Sequence, residues 1–176
     1  MVDRDHRTQS WLLQRKAVLD SPLPLIWVTN SADDVVASFL LKENVSYTIS
    51  FSREKIVKKT QVWEATFEPS PETMKYWGKP VDQIHELVKH ESMKDVYGIL
   101  ATVVAALKTF IVRHPGVRVY MIGFTDRQRE FYPEMLQHKL DNDAIPGYKY
   151  WSKGTGDWLA PKDTPTQELI SLSRKV

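Results

Sequence analysis

The chain has 176 residues, of which 42% are hydrophobic and 26% charged, with no cysteine and a net charge of +2. This composition is that of a globular protein, and it excludes disulfides, thiolate metal sites and a cysteine nucleophile. No apolar run is long enough to cross a bilayer, and the charged first residues predict no signal peptide. The near balance of 24 basic and 22 acidic residues does not favour a protein that depends on phosphate contacts with nucleic acid.

Residues 1–24 are predicted to form a helical arm. A short amphipathic helix is expected at about residues 8–19, with Trp11 among its apolar residues. The two prolines that follow favour an extended link. The pattern leaves open whether the arm docks on its own domain or on a neighbour. Residues 25–176 are expected to form a single domain.

Four strand candidates follow the arm. A short apolar run at residues 25–29 suits an edge strand, and the next strand spans about residues 35–41. Apolar and polar residues alternate over 45–51, which is typical of a strand with one buried and one solvated face. The fourth candidate is 61–67. Because no helix separates these strands, we expect an antiparallel meander.

Residues 69–95 form the least regular part and are predicted to be an insertion over the sheet or a contact surface. Short helices are expected at about residues 72–76 and 81–90. His85 and His90 stand five residues apart, whereas a zinc-binding helix places its two histidines four apart on one face. We therefore predict no metal site here.

The clearest pattern predicts a helix at residues 98–113 that is pressed onto a core. Its apolar stripe consists of Leu100, Val103, Val104, Leu107, Phe110 and Ile111. A buried strand is predicted at 117–122, and a second helix at 126–140, which Pro133 is expected to kink or restart. Together these elements predict an α+β fold in two layers, a mainly antiparallel sheet with two principal helices packed on one face.

The C-terminal part is predicted less fully. Residues 148–151 suit a short aromatic strand, and the glycines at 154–156 suit a flexible loop. The final segment, 167–175, has a pattern that fits either a helix or a strand.

The arginines at the start of the second helix form a candidate anion site. Arg127 and Arg129 follow the end of the buried strand, where helix amide groups and guanidinium groups can converge on an anion. Lys58 and Lys59 could contribute, although a lysine cluster between strands also suits a solvated loop tip. The competing interpretation is an exposed helix start whose arginines pair with nearby acids.

Loop acids and aromatic residues supply the remaining candidates. Asp141 and Asp143, with Glu134, could bind a divalent ion, or they could simply be solvated. Six tryptophans and seven tyrosines are many for this length, and large aromatic side chains supply much of the contact energy at protein interfaces. The predicted interface residues are Trp11, Trp77, Tyr150, Trp151 and Trp158.

Packing residues over 45–140 stand in a recognisable order. A strand that alternates from Tyr47 to Phe51 precedes a T-V-x-x-A-x-x-x-F helix, an I-x-F strand and a further helix. The positions after the first strand are Thr102, Val103, Ala106, Phe110, Ile122, Phe124, Arg129 and Tyr132. This order resembles a group of small phage-encoded proteins. The glycine-rich stretch expected before the helix is reduced to Tyr97-Gly98, and Pro133 interrupts the last helix. The resemblance implies a fold and a phage origin, and it assigns no catalytic residue.

These observations favour a non-enzymatic binding or assembly protein, either a component of a virion or an accessory that binds a host protein. The alternative is an enzyme or a nucleic-acid-acting protein with an anion site at Arg127 and Arg129. We expect a protein partner or self-assembly, no cofactor, no metal and no membrane. The expected location is the host cytoplasm or the virion.

Overall fold

The computed structural model of the chain describes residues 22–57, 60–78, 93–122, 126–153 and 156–174. Seven strands and four helices lie in these ranges. In chain order they are β1 (Ile26–Asn30), β2 (Asp34–Lys42), β3 (Val45–Val57), β4 (Thr60–Pro69), α1 (Pro71–Trp77), α2 (Met93–Arg113), β5 (Arg118–Ile122), α3 (Asp126–Asp141), β6 (Tyr148–Lys153), β7 (Gly156–Pro161) and α4 (Thr166–Ser173).

All seven strands belong to one sheet, in the order β1-β2-β3-β4-β5-β7-β6. Strands β1 to β4 form the predicted antiparallel meander. Strands β4 and β5 are parallel, and the two pairs beyond them are antiparallel. Parallel neighbours require a long crossover, and α1 and α2 lie in the connection between β4 and β5. The predicted mainly antiparallel α+β fold is therefore confirmed.

One face of the sheet, which we call the front face, carries the main core. Its alternate strand residues are buried against α2 and α3, because successive side chains of a strand point to opposite sides. The stripe predicted for α2 is buried there, as are Met135, Leu136 and Leu140 of α3. Phe110 of α2 stacks on Phe51 of β3 with ring centroids 4.1 Å apart. The two principal helices thus share one face, as predicted.

Helix α4 covers part of the opposite face, which we call the back face. Leu169 and Leu172 are buried in a second cluster with Val62 of β4 and with Trp158 and Ala160 of β7. The Trp158 indole Nε1 donates to Ser173 Oγ at 2.8 Å. The terminal segment that fitted either a helix or a strand is a helix, and it adds a third layer at this end of the sheet.

Two expectations about local structure differ from the structure. Helix α3 runs without a restart from Asp126 to Asp141, with Pro133 inside it. Burial of its apolar side in the front core supports the helix where the proline removes a hydrogen bond. Strand β7 begins at Gly156, the last residue of the predicted loop, because it pairs with β5 and β6 on its two sides. The helices predicted at residues 8–19 and 81–90 lie outside the described residues.

Candidate functional site

Three large apolar side chains are exposed where the sheet ends at β1. Ile26 and Val28 of β1 and Leu40 of β2 are 68%, 65% and 61% exposed. Ile26 lies opposite Ser38, and Leu40 stands two residues beyond Ser38 on the same strand, so Ile26 and Leu40 project from the back face. We call Ile26, Val28 and Leu40 the edge patch. Its position at the margin of the sheet makes it accessible to another chain.

Strand β1 is held firmly from the front side. Trp27 packs against the main core, and the guanidinium carbon of Arg113 lies 5.1 Å from the centroid of its ring. Just before the strand, the Leu23 amide donates to Thr102 Oγ1 of α2 at 2.9 Å. Leu25 also packs against the core. The edge patch is therefore presented by a strand that is anchored to the central helix.

The outer side of β1 carries unused pairing capacity. β1 stands at one end of the strand order, and no strand in the described ranges pairs with its outer side. A register shift between Trp27 and Thr29 leaves Val28 without a partner across β2. Such a bulge bends and twists an edge strand. It limits the length over which a further strand can pair regularly, and it leaves Val28 exposed.

The two edges of the sheet differ in charge. Residues 26–30, IWVTN, contain no charged side chain, whereas the opposite edge strand β6, YKYWSK, carries Lys149 and Lys153. Lysines on an edge strand discourage pairing with other chains. Lys149 also ties its edge to the chain, since its Nζ donates to the Thr164 carbonyl oxygen at 2.6 Å. In the described part of the chain β1 has no such lysine, and its edge is limited only by its short length and by the bulge at Val28.

The back face next to the edge patch is lined by small polar side chains. Ser38 of β2 lies opposite Thr48 of β3, and Ser50 of β3 lies between Val36 and Thr66. These side chains are half-buried in the sheet surface. Next to the edge patch the back face thus presents hydroxyl groups that a flat partner can cover.

Two carboxylates interrupt this polar surface. Glu64 lies opposite Ser52 on the back face, and Glu54 stands at a register shift of β3. Burial raises the pKa of Glu64, and the charge and hydrogen bonding of Glu54 raise it further. Asp34 of β2, Ser52 of β3 and Glu64 of β4 lie opposite one another across the sheet. The Ser52 hydroxyl donates to Asp34 Oδ1 at 3.2 Å. Paired carboxylates suit acid–base chemistry when a substrate site surrounds them, but this pair lies on an open sheet surface.

Of the residues predicted as an interface, Trp151 and Trp158 lie opposite each other on β6 and β7, but most of this aromatic surface is covered. Trp158 is fully buried beneath α4, and Tyr150 is buried in the front core, so neither offers an exposed surface in this chain. Trp151 is half-buried and packs against the cluster under α4. Trp77 ends α1, and its side chain lies outside the description. Trp11 also lies outside the described residues.

The predicted anion site stays a prediction. Arg127 and Arg129 fall in the first turn of α3, which follows the carboxyl end of β5 as expected, and their side chains are outside the description. Lys58 and Lys59 also lie outside the described residues.

Near the carboxyl end of β5, Asp157 of β7 lies opposite Met121 and opposite Ser152, whose hydroxyl donates to the Asp157 carboxylate. Burial raises the pKa of Tyr150, and Asp157 raises it further.

Two of the three acids considered for a divalent ion, Asp141 and Asp143, have other partners. Asp143 pairs with Lys162, with 2.7 Å between Oδ1 and Nζ. Asp141 accepts a hydrogen bond from Gln137 Nε2 at 2.8 Å. Among the residues that the structure describes, no group of three histidines or acids could hold a metal ion. None of the helices in the described ranges has the length and apolar character needed to span a bilayer.

Sequence analysis identified the edge strand but not the edge patch. The signals available were the absence of charge in residues 26–30 and the adjacent leucines Leu40 and Leu41 at the end of β2. Of these two leucines, Leu40 is exposed and Leu41 packs against the core. Alternation along β2 accounts for that difference, because Leu40 continues the back-face row of Val36 and Ser38, whereas Leu41 follows on the other side.

Comparisons with known proteins return no match: no family model fits the sequence, and none of the curated proteins or solved structures matches it.

Proposed function

We propose that the protein is a non-enzymatic binding or assembly protein that uses the edge patch and the outer side of β1 as its contact surface. The observation that carries the proposal is the combination of Ile26, Val28 and Leu40, each more than 60% exposed, with an edge strand that has no charge. Single exposed apolar residues are ordinary on protein surfaces, whereas grouped ones mark contact sites. The grouping of three exposed apolar side chains at one edge of the sheet therefore supports a partner that covers them.

The energetics favour an apolar contact over a polar one. Full burial of a large aliphatic side chain contributes about 1.5–3 kcal/mol. The edge patch offers three such side chains, whereas the exposed ion pair between Arg53 and Asp33 has its charges largely solvated and such pairs contribute about 0–1 kcal/mol. A partner that covers the edge patch therefore gains more than one that binds this charged part of the sheet.

The strand itself supplies a mode of binding. An extended segment of a partner can add to β1 as a further strand, with main-chain hydrogen bonds for affinity and side-chain contacts for specificity. Ile26 would then lie beside the added strand on the back face, whereas Leu40 of β2 would stand one strand further away. The anchoring of Trp27 and Leu23 to α2 means that β1 is already in place to receive it.

The biological setting of this proposal comes from the resemblance over residues 45–140. That resemblance is to small phage-encoded proteins, and it supports a role in a virion or in binding a host protein. The edge patch is compatible with either role, since both require a persistent protein contact.

Photochemical cross-linking tests the proposed surface. A benzophenone amino acid at position 40 replaces Leu40 in the edge patch, and irradiation of the cells that naturally make the protein traps any neighbour. We expect adducts of higher mass, identified by mass spectrometry, because the side chain at this position projects into the contact surface.

The matched control places the same amino acid at Val112, which is 71% exposed on α2 and lies outside the edge patch. The proposal requires discrete adducts from position 40 and few or none from position 112. Equal labelling at both positions, or no adduct at position 40, would overturn it.

A further inference from the structure

We infer that the occupant of the β1 edge is a second copy of this chain, joined to the first by antiparallel pairing of the two β1 strands. The inference rests on the proposed function and names the partner of the same surface. The pairing would join two seven-stranded sheets into one continuous sheet across a two-fold axis. Two-fold dimers are the commonest closed oligomers, and their interfaces are self-complementary.

Self-pairing is compatible with the charge of β1. In a two-fold antiparallel pair each residue meets a residue of the same strand, so with the axis at Val28, Ile26 lies opposite Asn30 of the second copy. No residue of 26–30 is charged, and no like charges are brought together. The same operation at β6, with the axis at Trp151, would bring Lys149 opposite Lys153 of the second copy, which is unfavourable. Of the two edges, only β1 suits a second copy.

The apolar side chains also continue across such a junction. A two-fold axis perpendicular to the sheet keeps the back faces of both copies on the same side. Ile26 and Leu40, which project from the back face, then stand on both sides of the axis. Val28 would meet Val28 of the second copy at the axis, whereas Ile26 would lie opposite Asn30 and Leu40 would stand one strand away from the junction.

The expected dimer is reversible. A stable interface typically buries about 800 Å² on each partner. β1 has five residues, and its bulge restricts regular pairing, so the strand and three side chains cover less than a permanent interface requires. Because the contact is apolar and uncharged, its strength should change little with salt, since salt screens interactions between charges.

Light scattering after size-exclusion chromatography tests this inference on the full chain over a dilution series. We expect the mass to rise with concentration from 20.4 kDa toward twice that value, equally at low and at physiological salt. Val28→Lys should hold the mass at 20.4 kDa at every concentration. The new lysine would face its own copy at the axis, and Val28 is exposed enough for the variant to fold.

Val112→Lys is the matched control, because it makes the same substitution at a similarly exposed position on α2. It should associate as the wild type does. A wild-type chain that stays monomeric at every concentration, or a Val28→Lys variant that associates like the wild type, would overturn the inference. Adducts of a different protein at position 40, with a monomeric chain, would overturn the second copy and leave the proposed function standing. If the chain stays monomeric and position 40 gives no adduct, both the second copy and the proposed function would be overturned.

Discussion

Glu64 shows how a single residue on the back face affects the stability of the fold. Its carboxyl group lies beside Glu54, and its pKa is raised above the ordinary value of 4.5, first by burial and then by the neighbouring carboxylate. The folded protein therefore binds a proton at this group more tightly than the unfolded chain does. Stability from Glu64 is fully present below the ordinary pKa and is lost as the pH rises through the folded value.

The replacement Glu64→Gln removes this pH dependence, because an amide carries no titrating proton. We expect the variant to gain stability relative to the wild type as the pH rises above the ordinary pKa of 4.5. Urea unfolding at each pH gives the difference in free energy. Glu68→Gln, at an exposed position on the same strand, controls for the loss of one negative charge. If the gain in stability of Glu64→Gln over the wild type became smaller as the pH rises, the raised pKa of Glu64 would be contradicted.

Individual residues were the hardest level to predict from sequence. Trp158 and Tyr150 were assigned to an interface because aromatic residues are enriched there, yet both are buried within the chain. Trp158 is covered because β7 pairs with β5, which places it next to Tyr120 and beneath α4. That environment depends on a strand pairing between distant segments, and no local pattern reports it.

At the scale of elements, α4 illustrates a segment whose structure is decided by what it covers. Its two buried leucines, Leu169 and Leu172, close the cluster over Trp158. Arg118 of β5 bonds Glu168 Oε2 at 3.1 Å, and the Ser173 hydroxyl accepts from Trp158. These contacts join α4 to β4, β5 and β7, toward the β6 end of the sheet. The helix should therefore contribute to global stability rather than fray independently.

Shortening one of these leucines tests that expectation. Leu169→Ala leaves a cavity against Trp158, and we expect the free energy of unfolding to fall by about 2–5 kcal/mol. Ser171→Ala, at an exposed position of the same helix, should change it by less than about 0.5 kcal/mol. Chemical denaturation measures both. A Leu169 variant as stable as the Ser171 variant would show that α4 is not part of the cooperative fold.

Elements with a strong hydrophobic periodicity were predictable from the sequence, whereas elements whose structure depends on distant parts of the chain were not. The alternation over β3 and the apolar stripe of α2 each place a buried face on the correct side, because periodicity reports burial directly. The terminal segment fitted two periods equally well and needed the second cluster to become a helix. Pro133 predicted a kink or a restart, and α3 continues through it without a restart.

At the scale of the whole molecule, the two ends of the sheet have opposite characters. The β6 end carries lysines and is tied down by the contact between Lys149 and the Thr164 carbonyl oxygen, and α4 covers the back face beside it. The β1 end carries the exposed edge patch and an uncharged strand. This asymmetry was not predictable from composition, because a net charge of +2 does not show where the charges lie. The proposed association therefore uses the β1 end of the molecule.

Hydrogen exchange measured at low and at high protein concentration tests this account most directly, because it reports each sheet edge separately. The account predicts that amides of residues 26–30 exchange more slowly as the concentration rises, since they become hydrogen-bonded to a second copy, while amides of β6 do not change. Exchange at β1 that is independent of concentration, or protection that appears at β6 instead, would contradict it.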